Sequence, residues 1–132
     1  MLVCCLVICQ IPAVSASAKS SSTPLQKNGQ LRVKGTKLVN SKGETVILKG
    51  VSTHGINWFP QYVNKSAFQS LRDDWGVNCV RLAMYTEEYN GYCSGGSQSE
   101  LKKLINNGVK YATELGMYVI IDWHILSDGN PK

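Results

Sequence analysis

Met117-Tyr118-Val119-Ile120-Ile121-Asp122-Trp123-His124 is an apolar, β-branched run that begins just after Gly116 and ends in polar side chains. A run of this length behind a glycine-terminated helical pattern reads as a buried parallel strand. Finishing in Asp122-Trp123-His124, such a strand delivers these groups to the carboxyl edge of a sheet, where α/β enzymes keep their sites. Eight residues follow His124, so the strand is expected to open an active site that the remaining sequence does not complete. The chain therefore reads as part of an enzyme.

Upstream of this strand the apolar period alternates between strand and helix. Ser97, with Glu100 three residues later, is a capping box for a helix whose Leu101, Leu104, Ile105, Val109, Ala112 and Leu115 keep helical spacing. Before it lie the long loop 83–96 and a strand over 77–82. Asn64 is the expected N-cap of another helix, with Phe68, Leu71 and Trp75 on one face and Gly76 as its stop. Residues 46–51 are expected to form the first buried strand, and 52–63 the loop after it. Strand–helix–strand–helix–strand with short returns implies a parallel sheet with right-handed crossovers. Gln30–Lys34 and Lys37–Asn40 alternate around Gly35-Thr36 as a small capping hairpin.

Residues 1–18 carry no charge, run through an apolar core past Pro12 and end Ala16-Ser17-Ala18. This is the outline of a secretory signal peptide cleaved after Ala18, and it is too short and interrupted for a membrane span. Export is the expectation; a misassigned start of the reading frame is the alternative. Residues 19–27 read as a polar linker or trimmed leader, and 28–132 as the folded part. Cys4, Cys5 and Cys9 would leave with the leader; Cys79 and Cys93 lack metal-site spacing, and a bridge between them needs neighbouring Cα atoms. The net charge of +5 is scattered, with no basic stripe interleaved with aromatics, so nucleic acid is not an expected partner.

Each strand end carries chemistry: His54 and Trp58 after the first, Arg81 and Tyr85 at the second, Asp122 and His124 at the third. Indole and phenol faces stack on sugar rings, while imidazole and guanidinium bond hydroxyls and hold carboxylates. Singly these residues are bland, since a loop histidine is often structural and a tryptophan often core. Arg81 is the exception: an arginine within an apolar strand needs an anionic partner, and Asp122 is the nearest candidate.

The segments Val51-Ser52-Thr53-His54-Gly55, Trp58, Leu71–Asn78, Val80–Thr86, Tyr118–Asp128 and the opening Gly29–Asn40 together resemble glycoside hydrolase family 5, within it the bacterial-type endo-β-1,4-glucanases. The resemblance runs from about residue 28 to the end. It implies an α/β fold, a (β/α)8 TIM barrel, of which this chain holds the N-terminal hairpin and about three βα units. It also implies a secreted enzyme, monomeric when full length, that cleaves β-1,4-glucan with retention of configuration and without cofactor or metal.

Two glutamates do that chemistry, as acid/base and nucleophile; Glu44, Glu87, Glu88, Glu100 and Glu114 match neither position, so this chain alone is expected to be inactive. By the same resemblance Arg81 would orient the nucleophile and His124 would line the subsite of cleavage. His54 and Trp58 would hold a sugar two rings towards the non-reducing end, with Tyr85 beside them, and Asp122 would be an orienting carboxylate. Three rival readings remain: a mannanase or other β-glycan hydrolase of the same fold, a non-catalytic sugar-binding fragment using His54, Trp58 and Tyr85, and a metal hydrolase using His54, Asp122 and His124.

Overall fold

The computed structural model describes residues 22–127, so the expected leader, the start of the linker and the last five residues lie outside the described part. Among the described residues two sheets and three α-helices follow in chain order: α1 (Pro24–Asn28), β1 (Arg32–Lys34), β2 (Lys37–Val39), β3 (Gly50–Gly55), α2 (Lys65–Asp73), β4 (Cys79–Tyr85), α3 (Gln98–Glu114) and β5 (Tyr118–His124). β1 and β2 form the antiparallel hairpin. β3, β4 and β5 make an open parallel sheet with β4 in the centre. Among the described residues the sheet does not close into a barrel.

The helices start where their capping residues stand. Asn64 accepts from the Ala67 amide and Ser97 from the Glu100 amide, each satisfying one donor of an otherwise open first turn. Part of the expected linker is helix: Thr23 and Gln26 form a reciprocal capping box around α1, and the Leu25 amide donates to Gly116 O at 2.9 Å. Helix α2 ends at Asp73, two residues earlier than the expected apolar face requires. Trp75 therefore leaves helical register and stands 79% exposed instead of facing the core. Arg72 stays inside the helix and reaches across to cap α3, donating from Nη1 to Leu115 O at 2.9 Å while Asp73 accepts from its Nε at 2.6 Å. The hydrogen bond from Arg72 holds the Asp73 carboxyl below the usual carboxylate range.

The core lies on the helix side of the sheet. Val80, Leu82 and Met84 of β4 meet Phe68 of α2 and Leu101, Ile105, Ala112 and Leu115 of α3. Each such large apolar side chain contributes about 1.5–3 kcal/mol when fully buried. Gly108 sets the approach of α3 to the sheet, because a Cβ there would stand 2.8 Å from Leu82 Cδ1 and 3.0 Å from Val63 Cγ1. Cys79 is buried, which pushes its thiol up, whereas Cys93 is exposed; both are free.

The parallel strands differ from expectation. The second runs Cys79–Tyr85 and not 77–82, because pairing with β5 continues to Tyr85 and His124; Arg81 therefore lies within the strand and the loop starts at Thr86. The first parallel strand begins at Gly50, not Val46: the Val46 amide donates to Leu38 O at 2.9 Å, tying that segment to the hairpin. The Asn78 side chain then stands in for a strand, accepting from the Lys49 amide at 2.8 Å and donating to Ile47 O at 3.0 Å. β5 is parallel to β4 in unbroken register, but it is an edge strand and is not buried: Ile121 is 59% and Trp123 50% exposed. An open sheet with unpaired edges and exposed apolar side chains is prone to association. The 132-residue chain on its own should consequently be molten or aggregation-prone, seen as a broad, non-cooperative loss of the near-ultraviolet tryptophan dichroism in denaturant. A monomer with a sharp transition would instead mark a self-sufficient small domain.

Candidate active site

Parallel pairing decides which side chains meet. Ser52 pairs with Arg81, Arg81 with Ile120, Ala83 with Asp122 and Tyr85 with His124, so the side chains of this set share the face opposite the helices. There Arg81 is held on both sides. Its Nη2 donates to Asp122 Oδ2 at 2.5 Å and its Nη1 to Ser52 Oγ at 2.9 Å. The anionic partner expected for Arg81 is thus Asp122, from the neighbouring strand.

His124 completes this cluster and its tautomer follows from its neighbours. Nδ1 lies 2.9 Å from Asp122 Oδ2 and 3.1 Å from Arg81 Nη2. A single ring nitrogen cannot donate to the carboxylate and accept from the guanidinium at once. Facing the carboxylate oxygen that also accepts from Arg81, Nδ1 is placed as the donor, which leaves Nε2 as an acceptor. The other histidine is arranged the opposite way. His54 Nδ1 accepts from the Gly55 amide at 2.8 Å, so its hydrogen sits on Nε2. One imidazole offers a donor and the other an acceptor, a complementary pair for hydroxyl groups.

The aromatic residues join the two. Tyr85 meets the His124 ring edge-on at 4.3 Å between centroids, and stacks on Trp58 at 5.0 Å. The His54 ring lies 5.5 Å from Trp58 and 5.7 Å from Tyr85. Gly55 makes this possible: a Cβ there would stand 2.4 Å from Tyr85 Cδ2. The indole is fixed at its edge, since Trp58 Nε1 donates to Tyr89 O at 2.8 Å, a carbonyl that also accepts from Asn57 Nδ2 at 3.0 Å. Every site residue expected from the sequence, namely His54, Trp58, Arg81, Tyr85 and His124, falls in one continuous surface. Ser52 and the Tyr89 carbonyl were not among them. Ser52 has a signal only once the strand register is known, and a backbone carbonyl has none.

No glutamate takes part in this cluster. Glu44 accepts from Asn40 Nδ2 at 2.7 Å, Glu87 from Ser127 Oγ at 2.5 Å, and Glu100 faces Lys103 at 3.8 Å. The hydrogen bond from Lys65 holds the Glu114 carboxyl below its usual range, the wrong direction for a general acid. Glu88 lies in the β4–α3 loop. Among the described residues no three His, Cys, Asp or Glu side chains gather as a metal-binding group, and no helix is long and apolar enough to cross a membrane. A groove of about 1040 Å³ opens at the opposite, N-terminal end of the strands, lined by residues such as Gln26, Asn40, Glu44, Arg72 and Asn78. It holds no comparable chemistry.

Known proteins share this arrangement of strands and sequence. Residues 39–132 match the cellulase family, glycosyl hydrolase family 5. The chain is 53% identical over 110 residues to endoglucanase A of Butyrivibrio fibrisolvens, covering 82% of this chain and 26% of that protein. It is 49% identical over 112 residues to endoglucanase N of Pectobacterium atrosepticum, covering 85% of this chain and 24% of that one. The catalytic domain of Thermobifida fusca endoglucanase Cel5A, solved in complex with cellotetraose, superposes with a TM-score of 0.77 at 38% identity, covering 83% of this chain and 35% of that domain. The chain thus spans about a quarter of the length of these relatives, and the structural neighbours are TIM-barrel catalytic domains. With the matched segment containing all three parallel strands and every residue of the edge cluster, the chain belongs to the cellulase family, glycosyl hydrolase family 5.

Proposed function

We propose that this chain supplies the first part of the catalytic domain of a secreted, retaining endo-β-1,4-glucanase. One observation carries the reading: a guanidinium held by Asp122 and Ser52 lies beside a histidine acceptor and a continuous His54–Trp58–Tyr85 aromatic surface. The relatives with the same segments are named endoglucanases, and one structural neighbour binds cellotetraose. The leader outline in residues 1–18 supports export.

In this reading the chain provides the supporting half of the cleft. Retaining glycosidases place two carboxyl groups about 5–5.5 Å apart, one as acid/base and one as nucleophile. Arg81 has five N–H donors, of which Ser52 and Asp122 take one each, so others remain for a nucleophile carboxylate. A neighbouring guanidinium keeps such a carboxylate ionised and fixes its angle. His124 Nε2 accepts from a sugar hydroxyl at the cleavage subsite. His54, Trp58 and Tyr85 hold the sugar further along, where binding energy is used to orient the scissile bond.

The test is the complete catalytic domain on carboxymethylcellulose, β-mannan and cello-oligosaccharides, with product anomers followed by NMR. Release of β-anomers from glucan supports the reading; cleavage of mannan alone, or α-anomers, overturns it. The N-terminus of the secreted protein, read by mass spectrometry, should be Lys19. The 132-residue chain by itself should release no reducing sugar from carboxymethylcellulose above a denatured control, because it offers no paired carboxylates in the cleft.

Two substitutions in the complete domain separate the roles. Arg81→Lys replaces a fixed fork by a point charge and should lower kcat by about 10²-fold or more with little change in KM, the scale of losing one electrostatic element. A raised KM at unchanged kcat would make Arg81 a binding residue only. Trp58→Ala should cost about 1–3 kcal/mol on longer cello-oligosaccharides and less on short ones, as other stacking platforms do. Equal losses on both would make Trp58 a packing residue.

A further inference from the structure

The pairing of β3 with β4 breaks at the site. Gly50, Val51 and Ser52 pair in step with Cys79, Val80 and Arg81, but Ala83 pairs with Gly55, so β3 carries one extra residue opposite Leu82. Bulges in parallel pairs are rare and tend to stand beside functional sites. Here the extra residue brings a side-chain acceptor to a buried amide, that of Ala83. Thr53 clasps the two strands there: its Oγ1 accepts from the Ala83 amide at 3.2 Å and donates to the His54 carbonyl at 2.9 Å. On the same residue the Ile56 amide donates to Ala83 O at 3.1 Å.

The clasp has a consequence one residue on. His54 has φ of 56°, a left-handed conformation that a side-chain-bearing residue holds only when its surroundings impose it. With its carbonyl held by Thr53 and its Nδ1 by the Gly55 amide, its ring is directed onto Trp58 and Tyr85. The bulge also gives Gly55 the place beside Ala83, over which the Tyr85 ring lies.

We infer that the Thr53 hydroxyl is a positioning group for substrate recognition, holding the bulge that presents His54 to a sugar hydroxyl. This rests on the glucanase reading, and it assigns to a residue with no direct sugar contact a share in binding.

The experiment uses the complete catalytic domain with Thr53→Val, Thr53→Ser, His54→Ala and the Thr53→Val/His54→Ala double variant. Valine keeps the shape of threonine without the hydroxyl; serine keeps the hydroxyl. Thr53→Val should raise KM on cello-oligosaccharides about tenfold with kcat within about threefold, and Thr53→Ser should stay within about twofold of the parent. In the His54→Ala background, Thr53→Val should add less than about twofold, because the two residues act through one geometry. A parental KM for Thr53→Val, or the same loss with and without His54, overturns the inference. Amide exchange at Ala83, measured without substrate, separates it from the glucanase reading. Exchange should be about tenfold or more faster in Thr53→Val and parental in Thr53→Ser. Unchanged exchange in the valine variant overturns the clasp whether or not the domain cleaves glucan. A domain that cleaves no β-1,4-glucan overturns the role in recognition even if the exchange result holds.

Discussion

A guanidinium on a sheet face demands an anion, and the site is organised around that demand. Arg81 pairs with Ile120 and Asp122 with Ala83 on neighbouring parallel strands, so the two side chains share one face on a diagonal and the carboxylate arrives where the charge is. Both side chains remain partly exposed, so the pair is worth more as geometry than as stability. Its effect spreads outward. Asp122 fixes the His124 tautomer, His124 packs edge-on against Tyr85, and Tyr85 stacks on Trp58. Each contact limits the next, so the positions of three side chains, His124 of β5, Tyr85 of β4 and Trp58 in the turn after β3, depend on one charge pair.

The fold supports this by separating its two faces. β4 puts Val80, Leu82 and Met84 on the helices and Arg81, Ala83 and Tyr85 on the opposite side. Alternation along one central strand therefore serves both packing and chemistry. Gly108 and Gly55 mark the points of closest approach on the two faces, the first between α3 and β4, the second between β3 backbone and the Tyr85 ring. Neither position leaves room for a side chain without displacing its neighbour.

The distribution of acids separates support from reaction. Five glutamates are present, and those with side-chain partners are engaged with Asn40, Ser127, Lys103 or Lys65 away from Arg81. The cleft surface formed by these residues is thus one of donors, acceptors and rings with a single orienting carboxylate. In the proposed function such a surface would bind and align a polyhydroxyl chain and present a cation to a carboxylate supplied opposite it.

Local sequence was sufficient wherever one segment dictates its own structure. The N-caps at Asn64 and Ser97, the helical spacing of α3, the hairpin around Gly35-Thr36 and the apolar strand ending in Asp122-Trp123-His124 all reflect interactions within a few residues. Strand-end chemistry was legible for the same reason, since order along the chain places His54 and His124 at one edge once the strands are parallel, whereas Arg81 lies within β4 and reaches them along the sheet face. Tertiary structure alone decided what depends on pairs of segments. The late start of β3 follows from the Asn78 side chain, the exposure of Trp75 from where α2 stops against α3, and the exposure of β5 from its edge position. The bulge at Thr53 and the Tyr89 carbonyl that holds Trp58 leave no mark in composition or period. Register and backbone acceptors are properties of two strands or loops brought together, and a single sequence carries no local signal of them.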